Sequence, residues 1–451
     1  MSGRFILNRC AWTLSVAVAL MVGPALGADP GSPGMQTELQ RKVARLVAQL
    51  DAEKRSVRSA ALESLLALGP GVLPLLPEER TLTSPATRDA VAEIRARLER
   101  ESAIATLAAS RMTLRGRFPL KEILERVTAQ TGNRFDTAAI DSALLSREFQ
   151  VDYESRPFWN AIDDLSKKAG LSYASDQKSQ RLVLMPIGEA SSRRELAVAE
   201  SGSFRVAILS ASLRPSFSES PKLLRIRWSL RAEPRLRPLY ASIAARQFSA
   251  SSDATAFKLL TPTAKWELSM GEGSQSLELD SDFEIPAKSP PKVVTFGGSF
   301  EVEMAAGPER FVFDDLASPR QDSRKFGGAT VALQHVEFPP VGEKAGNAKI
   351  EISLVYDHGG PAFESYRTWM YHNEAYLETK NGRRLNPQPI ISTRRQGDGS
   401  MAVEYNFADV QGTPRDDRFI YVAPTLITSV PVEFRFPRIP LARAAAEGMK
   451  R

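Results

Sequence analysis

The residues able to carry chemistry are few. The chain of 451 residues has one cysteine and three histidines. The histidines are His335, His358 and His372, and none has a second histidine at helical or strand spacing. His372 has Glu374 two residues on, so both could face one side of a strand, but zinc would need a third ligand from elsewhere. Asp357-His358 precedes Gly359-Gly360 and reads as a turn rather than half of a catalytic triad. No Gly-x-Ser-x-Gly elbow, His-Glu-x-x-His, Walker loop or Gly-x-Gly-x-x-Gly occurs. The expectation is a protein without catalytic residues, metal site or cofactor. A glycosidase needs only two carboxylates, and 53 acidic residues leave that class open.

Two groups of side chains could bind something. Between Ser201 and Arg246 there are nine Arg or Lys and two Glu, a local charge of +7. Arg225, Arg227 and Arg231 alternate with Leu224, Ile226, Trp228 and Leu230, so the arginines share one face of a strand. Such a ladder could bind lipid head groups, anionic glycan or an acidic partner. Equally, it could be a solvated face paired with acids on neighbouring strands, and the stretch Glu267 to Glu303 supplies eight acids. Trp369 and Tyr371, on one strand, would share a face that could stack on sugars or fill a core. The whole-chain charge is +6, and most of it resides in that one stretch. Nucleic acid is not an expected partner.

The first 27 residues read as an export signal. Arg4 and Arg9 precede a largely apolar run from Cys10 to Val22. Pro24 breaks it, and Ala25-Leu26-Gly27 offers a small-x-small cleavage site before Ala28. The apolar run is shorter than the roughly 20 residues that span a bilayer. An uncleaved anchor is the alternative. Cleavage near Gly27-Ala28 would leave 424 residues with no cysteine, hence no disulfide and no transmembrane span, in the periplasm or cell envelope.

The elements that must position these residues fall into four units. Residues 35–107 carry apolar residues at helical spacing: Val43, Leu46, Val47 and Leu50, then Ala61, Leu65 and Leu68. Gly69-Pro70 stops a helix, and Ser84-Pro85 opens another. The run from Val57-Arg58 through Leu68-Gly69 and Leu73-Pro74 resembles a HEAT-type repeat, which implies an interaction module. A helical cap on the next domain is the other reading.

Residues 111–188 contain two halves that match at an offset of 38 residues. Pro119 maps to Pro157, Leu124 to Ile162, Val127 to Leu165 and Gly132 to Gly170. The prolines mark helix starts and the glycines helix ends, giving the order β-α-β-β-α-β-β. This segment resembles the short N-terminal domain shared by secretins and TonB-dependent receptors. The resemblance implies an assembly or signalling module rather than a catalyst. No secretin pore or large membrane-barrel pattern follows it. Phe158 and Trp159, in the first turn of the second helix, read as core or as a partner surface.

Beyond Gly202 the period becomes two, over many short segments broken by Gly, Pro, Asn and Asp, which predicts antiparallel β-structure. Leu224-Ile226-Trp228 aligns with Ile350-Ile352-Leu354 at an offset of 126 residues. Two related immunoglobulin-like sandwiches are expected at 200–308 and 309–440. The fold class is therefore multidomain α+β and β. The expected function is a non-enzymatic envelope scaffold that binds protein partners. A carbohydrate-binding or carbohydrate-processing protein using the sandwiches is the alternative.

Overall fold

Glycine and proline punctuate the first half of the chain, and long alternating strands govern the second. The computed structural model describes residues 33–441, apart from 79–80, 177–179, 189–194, 215–221, 253–254, 271–275, 286–290, 315, 318–321, 341–344, 358–369, 372, 389–391, 398–399 and 412. Residues 1–27, read from the sequence as an export signal, and Trp369, His358 and His372 lie outside the described residues. The described chain divides into two units between Lys42 and Val43. The large hydrophobic cores all lie in the second unit.

Three helices lead the chain: α1 (Pro33–Gln49), α2 (Arg55–Ala67) and α3 (Pro85–Ala105), with a 3-10 turn at Pro70–Leu75. Ser84 caps α3 by accepting from Thr87 N at 3.4 Å, with Pro85 as the first helical residue. Leu65, Val72, Val91, Ile94 and Leu98 are buried between the helices. No helix among the described residues is long and apolar enough to cross a membrane.

The next segment runs β1 (Arg111–Pro119), α4 (Leu120–Thr131), β2 (Arg134–Asp136), α5 (Ser142–Ser146), β3 (Glu148–Pro157), α6 (Phe158–Ala169), β4 (Leu171–Asp176) and β5 (Arg181–Pro186). Pro119 and Pro157 each stand one residue before their helix, and Gly132 and Gly170 end the helices at φ 74 and 69. Only glycine takes that left-handed conformation at no steric cost. Strands β1 and β3 form an antiparallel ribbon, and β2-β5-β4 form a second sheet. A shared core joins Ile123, Val127, Val151, Phe158, Trp159, Ile162 and Leu182. Phe158 and Trp159 are both buried.

The remaining strands are β6 (Ala197–Ser201), β7 (Phe204–Arg214), β8 (Lys222–Ala232), β9 (Arg237–Ala244), β10 (Phe248–Ser252), β11 (Thr255–Ala256), β12 (Lys258–Leu259), β13 (Lys265–Ser269), β14 (Ser276–Ile285), β15 (Val293–Phe313), β16 (Ser323–Phe326), β17 (Ala329–Glu337), β18 (Gly346–Tyr356), β19 (Glu374–Glu378), β20 (Arg384–Leu385), β21 (Ser392–Gly397), β22 (Ser400–Val410) and β23 (Arg418–Pro440). They make three sheets. One has the order β12-β14-β8-β7-β6, another β16-β17-β18-β22-β21. Between these runs a third, built on β15 and β23 and extended by β9, β10, β11, β13, β19 and β20.

The third sheet changes the domain picture. Strands β15 and β23 pair antiparallel from Val293↔Pro440 to Phe313↔Phe419. One end of this long pair closes a core around Trp228, Phe248, Phe300 and Phe434. The other end closes a core around Phe311, Ile352, Tyr405 and Phe419. Two sandwiches are present, but they share one continuous sheet. Positions 308 and 309 are consecutive in β15, opposite Pro424 and Ala423, so no boundary between sheets falls there. The C-terminal half of β23, which the sequence places in the second sandwich, packs into the first. The matched runs at 224–228 and 350–354 lie in β8 and β18, the central strands of the two outer sheets.

Candidate functional site

The arginine ladder of β8 is split by its neighbours. Register sets Asp282 opposite Arg225 and Asp280 opposite Arg227 on β14. Arg225 makes a two-pronged contact with Asp282, Nε–Oδ1 and Nη2–Oδ2 both 2.7 Å. Its Nη1 lies 3.3 Å from Asp280, which also accepts from Arg227 Nε at 3.2 Å. Hydrogen bonding to Asp282 holds the Arg225 guanidinium above its ordinary pKa. Two of the three ladder arginines thus belong to a neutralised cross-strand array.

Arg231 stands elsewhere. The α+β segment covers this end of the outer face, and the guanidinium lies 5.2 Å from the Tyr173 ring centroid. Its Nε is buried without a hydrogen-bond partner. Burial pushes the guanidinium pKa down. Opposite it on β7 is Arg205, with a side chain 5% exposed. Arg205 Nε donates to Asp163 at 3.0 Å and Nη1 to Glu195 at 2.8 Å. Tyr173 donates its hydroxyl to the same Asp163. Burial alone would lower the Arg205 pKa, but the Glu195 bond and the surrounding negative charge raise it. The Glu195 carboxyl is raised by burial and lowered further by Arg205, so that it sits below its ordinary value. Nearby, Trp159 Nε1 donates to Ser203 O at 3.1 Å. Helix α6 of the α+β segment is therefore bound directly to the sandwich.

A second joint lies at the turn between β8 and β9. Glu233 is 1% exposed. Its carboxylate accepts from Ser110 N at 2.8 Å, Ser110 Oγ at 2.6 Å, Asn133 Nδ2 at 3.1 Å and Arg235 Nε at 2.7 Å. Arg235 also donates to the carbonyls of Thr106 and Ala108, just past α3. One carboxylate–guanidinium pair thus gathers the end of the helical segment, the start of β1, the corner after α4 and the sandwich. A third contact joins α3 to the other sandwich: Gly327 N donates to Glu99 at 2.9 Å. It borders a cleft of about 300 Å³ lined by Arg97 and Arg100 of α3 and by Tyr356, Asp357 and Ile427.

The other sequence candidates are dispersed. Tyr371 lies in a helical turn, where Asn373 N donates to Met370 O at 3.1 Å, and not on a strand. It packs half-buried against the second core. Strand β19 begins only at Glu374, which pairs with Arg384. His335 is exposed on β17. No group of three or more His, Cys, Asp or Glu among the described residues is placed to hold a metal ion. Sequence reading missed Arg205, Glu233 and Arg237. Arg237 is buried beside Tyr356, Tyr405 and Tyr421 and donates to Asn373 Oδ1 at 2.5 Å. Their signal was only a charged residue at a strand start or turn, which is ordinary on a surface.

No family model and no curated protein matches the chain. Among solved structures it is similar to a conserved domain protein from Bacillus anthracis, at 10% identity and a TM-score of 0.17, covering 54% of this chain and 89% of that one. A second likeness is to a structure described as complete manganese lipoxygenase of Gaeumannomyces graminis and partial zonadhesin of Komagataella pastoris. It has 10% identity and a TM-score of 0.14, covering 51% of this chain and 94% of that one. At such scores neither likeness carries an argument about fold or function.

Proposed function

We propose that the protein is an exported, non-enzymatic envelope scaffold. In this reading a HEAT-like helical segment and a small secretin-like α+β domain are held out to a protein partner by two immunoglobulin-like sandwiches. The observation that carries it is the set of buried ionic joints. The Glu233–Arg235 pair and the Arg205–Asp163–Glu195 cluster fix the α+β segment to the sandwich on two sides. Breaking such buried pairs is costly, so the modules move together and present one fixed surface. A frame of this kind suits a protein that sets distances between partners.

The neutralisation of Arg225 and Arg227 favours this reading over an anion-binding or glycan-binding ladder. A photocrosslinking residue placed at Arg117, Arg97 or Val355, each on a different module, tests it in intact envelopes. The expected result is capture of a discrete partner from the helical or α+β positions. Absence of any crosslink at all three positions would remove the scaffold reading.

A further inference from the structure

The β1–β3 ribbon stands apart from every other strand pair because neither of its edges continues into a sheet. Phe158 N donates to Ser110 O at 2.9 Å and Leu120 N to Arg147 O at 3.0 Å, on either side of the ladder. Even-numbered residues of β1 therefore turn their N–H and C=O toward β3. Thr113, Arg115 and Arg117 turn theirs outward. At Thr113 the outward station is filled by a side chain. Gln130 of α4 accepts from Thr113 N at 2.8 Å and donates to Thr113 O at 3.0 Å. That is the two-bond contact which a peptide group of a neighbouring strand makes. A side-chain amide thus already occupies the first station of a strand-competent edge. No hydrogen bond from another described residue meets the outward groups of Arg115 and Arg117.

The charge of the ribbon selects between its edges. On the solvent face β1 carries Arg111, Arg115 and Arg117, and β3 carries Glu148, Asp152 and Glu154. Arg115 lies 3.0 Å from Asp152, and Arg117 lies 2.9 Å from Glu148. Arg115 also contacts Glu154, so both arginines pair with acids of β3 as Arg225 and Arg227 do with acids of β14. At 59% and 69% exposure they are more open than those two, at 29% and 48%, and stand nearer a further strand on the β1 side. A strand laid along β1 brings its own row of side chains about 5 Å from them. Acidic residues at alternate positions are attracted there, and basic ones are repelled. On the β3 edge the row is acidic, and Lys168 Nζ reaches the outward carbonyl of Gln150 at 3.2 Å. A bulge at Ser155, φ 47, ends the regular ladder beyond Thr113. The usable edge is therefore short, from residue 113 to 117.

We propose that the β1 edge accepts an extended segment of a partner protein carrying acidic residues at alternate positions, with Gln130 as the placeholder it displaces. This deepens the scaffold reading and rests on it by naming the kind of partner. Main-chain bonds would supply affinity and the arginine row specificity, as in other strand additions.

The test uses the full chain and two blocked nine-residue peptides, one alternating Val and Glu, the other Val and Lys. Fluorescence anisotropy is expected to show saturable, salt-sensitive binding of the Val/Glu peptide only. Q130A is expected to tighten it about threefold to tenfold, because one competitor pair of hydrogen bonds is gone. R115E/R117E is expected to weaken it at least tenfold and to shift preference to the Val/Lys peptide. Amide exchange at Arg115 and Arg117 should slow on binding. Gln130, Arg115 and Arg117 are all exposed, so the variants are expected to fold. Equal affinity for the two peptides, no binding of either, or unchanged exchange at Arg115 and Arg117 overturns the proposal. So does a concentration-dependent dimer, abolished by R115E, that excludes the peptide, since it gives the edge to a second copy. If crosslinking captures partners while the peptide fails, strand addition alone falls. If the peptide binds but no partner crosslinks, the scaffold reading falls.

Discussion

Replacing Glu233 with alanine probes the joint that gathers three modules. The side chain is 1% exposed and accepts four hydrogen bonds, one of them from the Arg235 guanidinium. Its removal leaves Ser110 N–H and Ser110 O–H without this acceptor, while Asn133 Nδ2 loses one of two and keeps Ser110 Oγ at 3.1 Å. Arg235 is 18% exposed and keeps its bonds to two carbonyls, so it regains part of its hydration. The cost is therefore set at the lower end of that for breaking a buried ion pair, about 3 kcal/mol. The loss is local, so a global melting curve is the wrong assay for a chain with several cores. Hydrogen exchange at the Ser110 amide reads the joint directly, since that N–H ends on the carboxylate. A loss of about 3 kcal/mol corresponds to exchange faster by about a hundredfold. The double variant E233A/R235A should cost less than the sum of the two single changes, because each orphans the other. Strict additivity, or an unchanged Ser110 amide, would refute the claim that the pair holds the joint.

Three other positions give sharp expectations. The Glu195 carboxyl is held below its ordinary value of 4.5 by Arg205 against the upward push of burial, so it contributes stability above that pH and loses it as pH falls below. The Trp159 indole N–H signal, bonded to Ser203 O, should therefore shift below about pH 4.5 and less so in E195Q; a signal that does not move between about pH 6 and 3 counts against the clasp. Gly307 has φ 64, and a Cβ there would lie 2.5 Å from Thr425 Oγ1 and 2.9 Å from Ala103 Cβ. G307A should cost about 1–3 kcal/mol in chemical denaturation and loosen α3, seen as faster exchange at Ala103. Trp228 is at the centre of an aromatic cluster with Phe248, Phe300 and Phe434 and donates to Ser281 Oγ at 3.1 Å. W228A should cost about 3–5 kcal/mol, and a loss below about 1 kcal/mol would refute its place in the core.

The parts of this fold that were legible in the sequence are those set by neighbours along the chain. Pro119 and Pro157 sit just before helices, and Gly132 and Gly170 take positive φ after them, because these residues act through their own backbone. Asn381-Gly382 marks a real hairpin for the same reason, with Gly382 at φ 74 and Thr379 N bonded to Arg383 O. Alternation found the strands but misjudged their length. The boundary read from the sequence at 308 falls on Gly307-Pro308, yet β15 passes straight through it. Register sets Pro308 opposite Pro424, so neither strand offers an N–H that the other must answer. Gly307 meanwhile makes room for Ala103 of α3. A break signal on one strand was cancelled by a matching one more than a hundred residues away, which no local pattern contains.

The candidate sites show the same limit more sharply. Arg225, Arg227 and Arg231 are equivalent by spacing and share one face of β8. What separates them is who stands across: Asp282 and Asp280 for the first two, Tyr173 of another module for the third. Glu233 gains its role from Ser110 and Asn133, at sequence separations of 123 and 100 residues. A charged side chain carries no mark of whether the fold will bury it. In the ribbon the sequence reading named the two strands but not their charged rows, and the fold adds both the arginine row on β1 and the edge beside it, half-filled by Gln130. Where function depends on a face, sequence finds the residues; where it depends on an edge or a joint, only the pairing of distant strands does. The two joints and the β1 edge are both of the second kind. The same buried carboxylates that fix the α+β segment on the sandwich leave its ribbon facing outward, so weakening a joint should change how the edge is presented without changing the edge itself. E233A should therefore leave the affinity for the Val/Glu peptide within about twofold while loosening Ser110 about a hundredfold. A parallel loss of both would mean that the edge is created by the joint and not merely carried by it.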